Sequence, residues 1–171
     1  MLTLTDRLPS NPHTPTNLTL PLTAEERRRS RKQFLTTEGI EVRLHLARGT
    51  VLQHGDILAS DPDANATRQL VKVVAKPEPV MTVTAHTSLE LLRAAYHLGN
   101  RHIPLEITLD YLRLEPDSVL ADMLLRMGLH VIEEVLPFQP EAGAYAAHHS
   151  HEDKHEANQE SNHESGHHSH A

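Results

Sequence analysis

The chain has 171 residues, 38% of them hydrophobic and only 3% aromatic, so it can hold one ordinary domain or two small ones around thin cores. Cysteine is absent, which excludes disulfides, thiol nucleophiles and thiolate metal sites and leaves imidazole and carboxylate as metal ligands. Net charge is −7, and five acids against one lysine from Ala144 onward contribute −4 of it, so the remaining −3 gives no reason to expect nucleic-acid binding. The start, MLTLTDRLPSNPHTPTN, has no basic segment followed by an apolar one, and no run is long enough to span a bilayer. A soluble, cytoplasmic protein is expected.

In chain order, the basic run RRRSRKQF at 27–34 is flanked by acids and reads as a solvated strand face rather than a nucleic-acid patch. GIEVRLHLARGTVL sets Val42, Leu44 and Leu46 on one face and Glu41, Arg43 and His45 on the other, the period of a half-buried strand. TTEG before it and LARG after it are turn chemistry. HGDILAS, the turn DPDAN and RQLVKVV predict a hairpin. The two prolines of AKPEPV, residues 75–80, mark a boundary, giving a β-rich N-terminal domain over 1–77.

Beyond it, strands alternate with helices. VMTVTAH predicts a strand, and TSLELLRAAYHLG a helix with Thr87 and Glu90 as a capping box and Gly99 as its stop. Its expected buried stripe is Leu89, Leu92, Ala95 and Tyr96. PLEITLD and YLRLE are two short strands. PDSVLADMLLRMG is a second helix between Pro116–Asp117 and Gly128, with Leu120, Met123, Leu124 and Met127 facing the core. HVIEEVLPF is a last strand. The order is βαββαβ, a ferredoxin-like domain over 78–143, so the fold class is α+β. Residues 144–171 are rich in His, Glu, Ser and Asn with almost nothing apolar, and a disordered His-rich tail is expected.

Eight of the 15 histidines lie in that tail: His148, His149, His151, His155, His163, His167, His168 and His170. Solubility alone does not call for such density, whereas neutral imidazoles on a flexible chain can wrap nickel, copper or zinc. His97, in the last turn of the first predicted helix, suits the helix dipole. His102 is open to two readings: an ordinary loop histidine, or a ligand. One imidazole is a weak site, but a two-fold dimer would bring two together at the axis. His13, His45, His54, His86 and His130 have no partner at ligand spacing and read as surface or loop residues.

YHLGNRHIPLEI, DSVLADMLLRMGLHV and FQPEAGAYAAHHSH, in that order, resemble the UreE family of urease accessory proteins, the nickel metallochaperones of urease maturation. RRRSRKQFLTTEGIEVRLHLARGTVLQHGDIL is similar to that family's N-terminal half, and the likeness runs from about Leu18 to His151. The resemblance implies an N-terminal domain similar to the peptide-binding domain of DnaJ-type co-chaperones, and dimerisation through the second domain. It implies a metal site of His102, brought together at the dimer axis, completed by His148, His149 and His151. Some relatives carry a His-x-His pair before the second helix of that domain; Pro116 and Ser118 stand there, so that peripheral site should be missing. The implied function is delivery of Ni2+, with Zn2+ or Cu2+ able to take the same imidazoles, to apo-urease together with accessory proteins including the GTPase UreG. The chain itself has no phosphate-binding loop and is expected not to be an enzyme. A general nickel or zinc store is the alternative, and a peptide-binding co-chaperone module a third reading.

Overall fold

The computed structural model describes residues 1–9, 11 and 13–142. The first half contributes β1 (Leu2–Leu8), β2 (Leu18–Leu22), α1 (Ala24–Arg27), β3 (Gln33–Leu35), β4 (Glu41–Leu44), β5 (Ile57–Ser60) and β6 (Leu70–Ala75). Its sheet has the order β2-β6-β5-β1-β4-β3. β4 shows the expected alternation, with Val42 and Leu44 buried and Glu41 and Arg43 exposed. Leu4, Leu20, Leu58 and Val73 join them in one core. The hairpin of β5 and β6 forms as expected, antiparallel, and Asp63 holds its connection by accepting the Asn65 and Thr67 amides. Two pairings are parallel, β1 with β4 and β2 with β6, each joining segments far apart in sequence. Local patterning marks a strand but does not name its partner.

The basic run is solvated as expected at Arg28, Arg29, Arg31 and Lys32, although its strand begins only at Gln33, and Arg27 departs from that role. Arg27 ends the short helix α1 and is buried, its guanidinium donating to the carbonyls of Leu22 at 3.0 Å and Phe138 at 2.5 Å. Burial lowers its pKa, opposed by the nearby Glu78 and Glu106 carboxylates. A single charge inside a basic run can be drawn inward when backbone carbonyls are waiting for its donors. Here it links the first sheet to the chain beyond the last strand.

The second half comprises β7 (Pro77–Thr84), α2 (Ser88–Gly99), β8 (Glu106–Ile107), β9 (Leu112–Leu114), α3 (Ser118–Arg126) and β10 (His130–Pro137). The chain order β-α-β-β-α-β is the expected one, and the sheet order is β10-β7-β9-β8, all antiparallel. Only Lys76 separates β6 from β7, so AKPEPV is a strand junction rather than a linker. Pro77 and Pro79 lie where β7 pairs with β10 alone, since β9 joins from Met81 onward. A strand with one free edge tolerates the missing amides.

α2 has its predicted capping box: Thr87 accepts the Glu90 amide and Glu90 accepts the Thr87 amide. Its buried face is not the predicted one. Leu91, Ala94 and Leu98 pack on the sheet beside Met81, Val83 and Leu124, whereas Leu89, Leu92 and Tyr96 are 56%, 67% and 67% exposed. Ala95 is only partly buried. Both stripes have the same +3, +4 spacing and lie about 200° apart on the helix, so periodicity alone does not choose between them. In α3, Leu120 and Leu124 are buried, with Met123 and Met127 packed at the margin of the core. No helix among the described residues is long and apolar enough to cross a membrane.

Candidate metal centre

His102 sits on the turn that ends α2. Gly99 is helical; the residue in the left-handed region is His102 itself, at φ +57°. The His102 amide donates to the Gly99 carbonyl at 2.9 Å, and the Ile103 amide donates back to Leu98 at 3.3 Å. This pair of bonds satisfies the last carbonyls of the helix, and the apolar contact that accompanies such an ending is supplied by Leu98 and Ile103 in the second-half core. Glycine is the usual occupant of that position, because a side chain there costs about 1–2 kcal/mol. The imidazole is exposed.

Just beyond His102, a polar clamp holds the end of the fold. The buried pair Arg113–Glu106 is 3.0 Å long. Glu106 also accepts the Tyr111 hydroxyl at 3.0 Å and the Gln139 amide at 2.7 Å. Arg113 donates to the Pro137 carbonyl at 3.2 Å and stacks on Tyr111, 4.5 Å from the ring centroid. Burial, then the bond to Glu106, raises the Tyr111 pKa and keeps its hydroxyl a donor. The Glu141 amide closes the clamp on the Leu105 carbonyl at 2.7 Å. Residues 137–141 are therefore fastened beside the segment that follows His102. The sequence did not signal this clamp, because its members read as the polar faces of two short strands.

His97 is exposed in the last turn of α2, edge-on to Tyr96 with ring centroids 5.4 Å apart, while Arg101 caps its carbonyl at 2.7 Å. That agrees with a helix-end role. Among the described residues, no three His, Asp or Glu side chains gather as a metal cluster. His86 and His130, read from sequence as lacking partners, meet with their Nε2 atoms 3.1 Å apart. Their separation of 44 residues hid the pairing. His148, His149 and His151, with all of 144–171, lie outside the described residues.

Residues 4–75 match the UreE urease accessory protein N-terminal domain, and residues 78–170 match the C-terminal domain of the same family. The chain belongs to the UreE family of urease accessory proteins. It is 58% identical over 151 residues to the urease accessory protein UreE of Nostoc sp., covering 88% of this chain and 100% of that protein. With the UreE of Thermosynechococcus vestitus it shares 54% over 148 residues, 86% of this chain and 100% of the relative. With the UreE of Paraburkholderia xenovorans the identity is 52% over 133 residues, 78% of this chain and 57% of that longer protein. UreE membership gives the chain a role in urease maturation and a two-domain architecture, β-rich then mixed α/β. The UreE C-terminal match extends through His148, His149 and His151.

Proposed function

We propose that the chain is a homodimeric nickel carrier that hands Ni2+ to apo-urease and is not itself an enzyme. The observation that carries the reading is His102: an exposed imidazole kept at a left-handed helix ending where glycine is the cheaper residue. Backbone strain of this kind collects where a side chain is needed for a task. A second His102 across a two-fold axis would turn one ligand into two. The stripe of Leu89, Leu92 and Tyr96, exposed in the single chain on the helix that leads to His102, supports such a partner.

The ligand set is completed by His148, His149 and His151. Glu141 is bonded to Leu105, three residues from His102, and His148 is seven residues further along the chain. Seven residues fully extended span at most about 23–25 Å, which bounds the reach of that segment. Zn2+ or Cu2+ can occupy the same imidazoles, since these ions share a taste for them. In this reading the domains are 1–77, with a co-chaperone-like peptide-binding sheet, and 78–143, ferredoxin-like and dimerising, followed by the tail of 144–171. Partners are apo-urease and accessory proteins including the GTPase UreG, which supplies the hydrolysis.

Calorimetric nickel titration of the full chain tests it. His102→Ala should abolish the tightest binding event, one ion per dimer, and impair urease activation while the fold and dimer persist. His97→Ala should do far less. An unchanged first event in His102→Ala, or equal losses in the two variants, overturns the assignment. The rival reading is a nickel or zinc store, favoured by the eight tail histidines. A store would protect cells from metal and leave urease activation untouched.

A further inference from the structure

We infer that His86 and His130 form a second metal site, taking one divalent ion of the imidazole-preferring class per chain. His86 lies two residues beyond β7 and His130 opens β10. The two strands pair over eight rungs starting at His130 and Thr84, so His130 is carried on paired backbone and His86 on the short connection from β7 to α2. Both side chains are exposed, so an ion reaches them from solvent and takes the place of the hydrogen that one Nε2 holds toward the other. The site stands at the opposite end of α2 from His102, roughly 17 Å of helix away, and does not depend on the reading of His102.

The ring geometry favours convergence on an ion over a head-on contact. The Nε2 atoms are 3.1 Å apart, the centroids 4.9 Å, and the planes cross at 81°. An ion about 2.0–2.1 Å from both nitrogens would subtend about 95–102°, between square-planar and tetrahedral values. With each ring centroid about 1.15 Å behind its nitrogen, such a pair of ligands would hold its centroids about 4.8–4.9 Å apart. Rings aligned on a straight N–H···N bond at the same nitrogen separation would stand about 5.4 Å apart. The observed spacing is that of two ligands aimed at one point off the line between them. Glu90, on the first turn of α2, holds the Thr87 amide, and among the described residues no third His, Asp or Glu gathers with the pair, so the two imidazoles are the ligands and water fills the other positions. An open site with two protein ligands suits an ion in passage better than a structural ion.

Zinc alone, added to the full chain with its histidine ring nitrogens labelled, tests the site by nuclear magnetic resonance. Residue-specific signals separate this pair from the tail, which takes up zinc as well. The His86 and His130 Nε2 signals should shift together, with one apparent affinity. In His130→Ala, the affinity read at His86 should fall by more than the roughly 10–100-fold that loss of an outer-shell partner costs, and likewise at His130 in His86→Ala. His102→Ala should leave the response of the pair in place, so failure at one site is distinguishable from failure at the other. A His86 response that survives unchanged in His130→Ala overturns the inference. So does a pair whose signals stay still after the tail is saturated.

Discussion

α2 and α3 end in the same way with different residues. After α2, His102 donates to Gly99 and Ile103 to Leu98; after α3, Gly128 donates to Leu125 at 3.0 Å and Leu129 to Leu124 at 3.2 Å. Both turns place one residue in the left-handed region, His102 at φ +57° and Gly128 at φ +85°. Both anchor the following apolar residue, Ile103 or Leu129, in the same core. At α3 the cheap residue is present, and the turn does nothing beyond stopping a helix. At α2 the chain accepts strain to display an imidazole. The backbone job is equal, and the proposed ligand role gives a reason for the costlier residue at α2.

The largest expected effect removes the clamp that lies beside the segment following the α2 ending. Glu106→Ala would leave Arg113 buried without its carboxylate and free the Gln139 amide. Breaking such a pair costs about 3–5 kcal/mol, and chemical denaturation should show it. If the clamp also presents the tail to His102, nickel affinity measured on the folded variant should fall too. A loss below about 1 kcal/mol would mean that the clamp is not holding this end of the fold.

Next comes Gly128→Ala, which imposes on α3 the strain that α2 already bears. An added Cβ meets nothing within 4 Å, so φ alone sets the cost. Destabilisation of about 1–2 kcal/mol is expected, read as a drop of roughly 3–6 °C in Tm. The tightest nickel event, assigned to His102, should be untouched.

His102→Gly sharpens the comparison from the other side. Relief of the left-handed strain outweighs the extra chain entropy of glycine by about 0.5–1 kcal/mol. The variant should melt about 2–3 °C higher and yet lose the tightest nickel event. A variant that gains stability while losing its ligand would establish that His102 is held against local preference. Lower stability would place the imidazole among the packing residues instead.

The smallest effect lies away from both helix ends, where the two sheets meet. Glu78 on β7 accepts the Ala24 amide at 2.7 Å, and its pKa is raised, chiefly by burial, against the opposing pull of that bond and of Arg27. A raised carboxyl pKa costs stability as pH climbs past the ordinary carboxylate value near 4.3 and the folded protein must ionise the group. Below that value the wild type and Glu78→Gln should melt alike, since the amide oxygen can still accept from Ala24. As pH rises toward neutrality the variant should melt slightly higher, by less than about 2 °C. A gap that opens on acidification instead would reverse the sign and the cause.

Much of this protein is determined locally and is legible in short stretches of its sequence. The alternation through Val42 and Leu44, the Thr87–Glu90 capping box, the hairpin around DPDAN and the β-α-β-β-α-β order each depend on residues a few positions apart. Their backbone preferences are set by near neighbours. The family likeness is legible for a related reason: GNRH and PEAGAY are contiguous words. Only the tertiary structure decided which of two equivalent stripes on α2 is buried, because that choice is made by the sheet beneath the helix. It also decided that Arg27 turns inward, since the waiting carbonyl of Phe138 lies 111 residues away. The meeting of His86 with His130 follows from the β7–β10 register, and the strain at His102 from the seating of Ile103 in the core. A sequence sets what each short segment prefers; long-range packing decides which side chains meet and which must be strained to stay where they are.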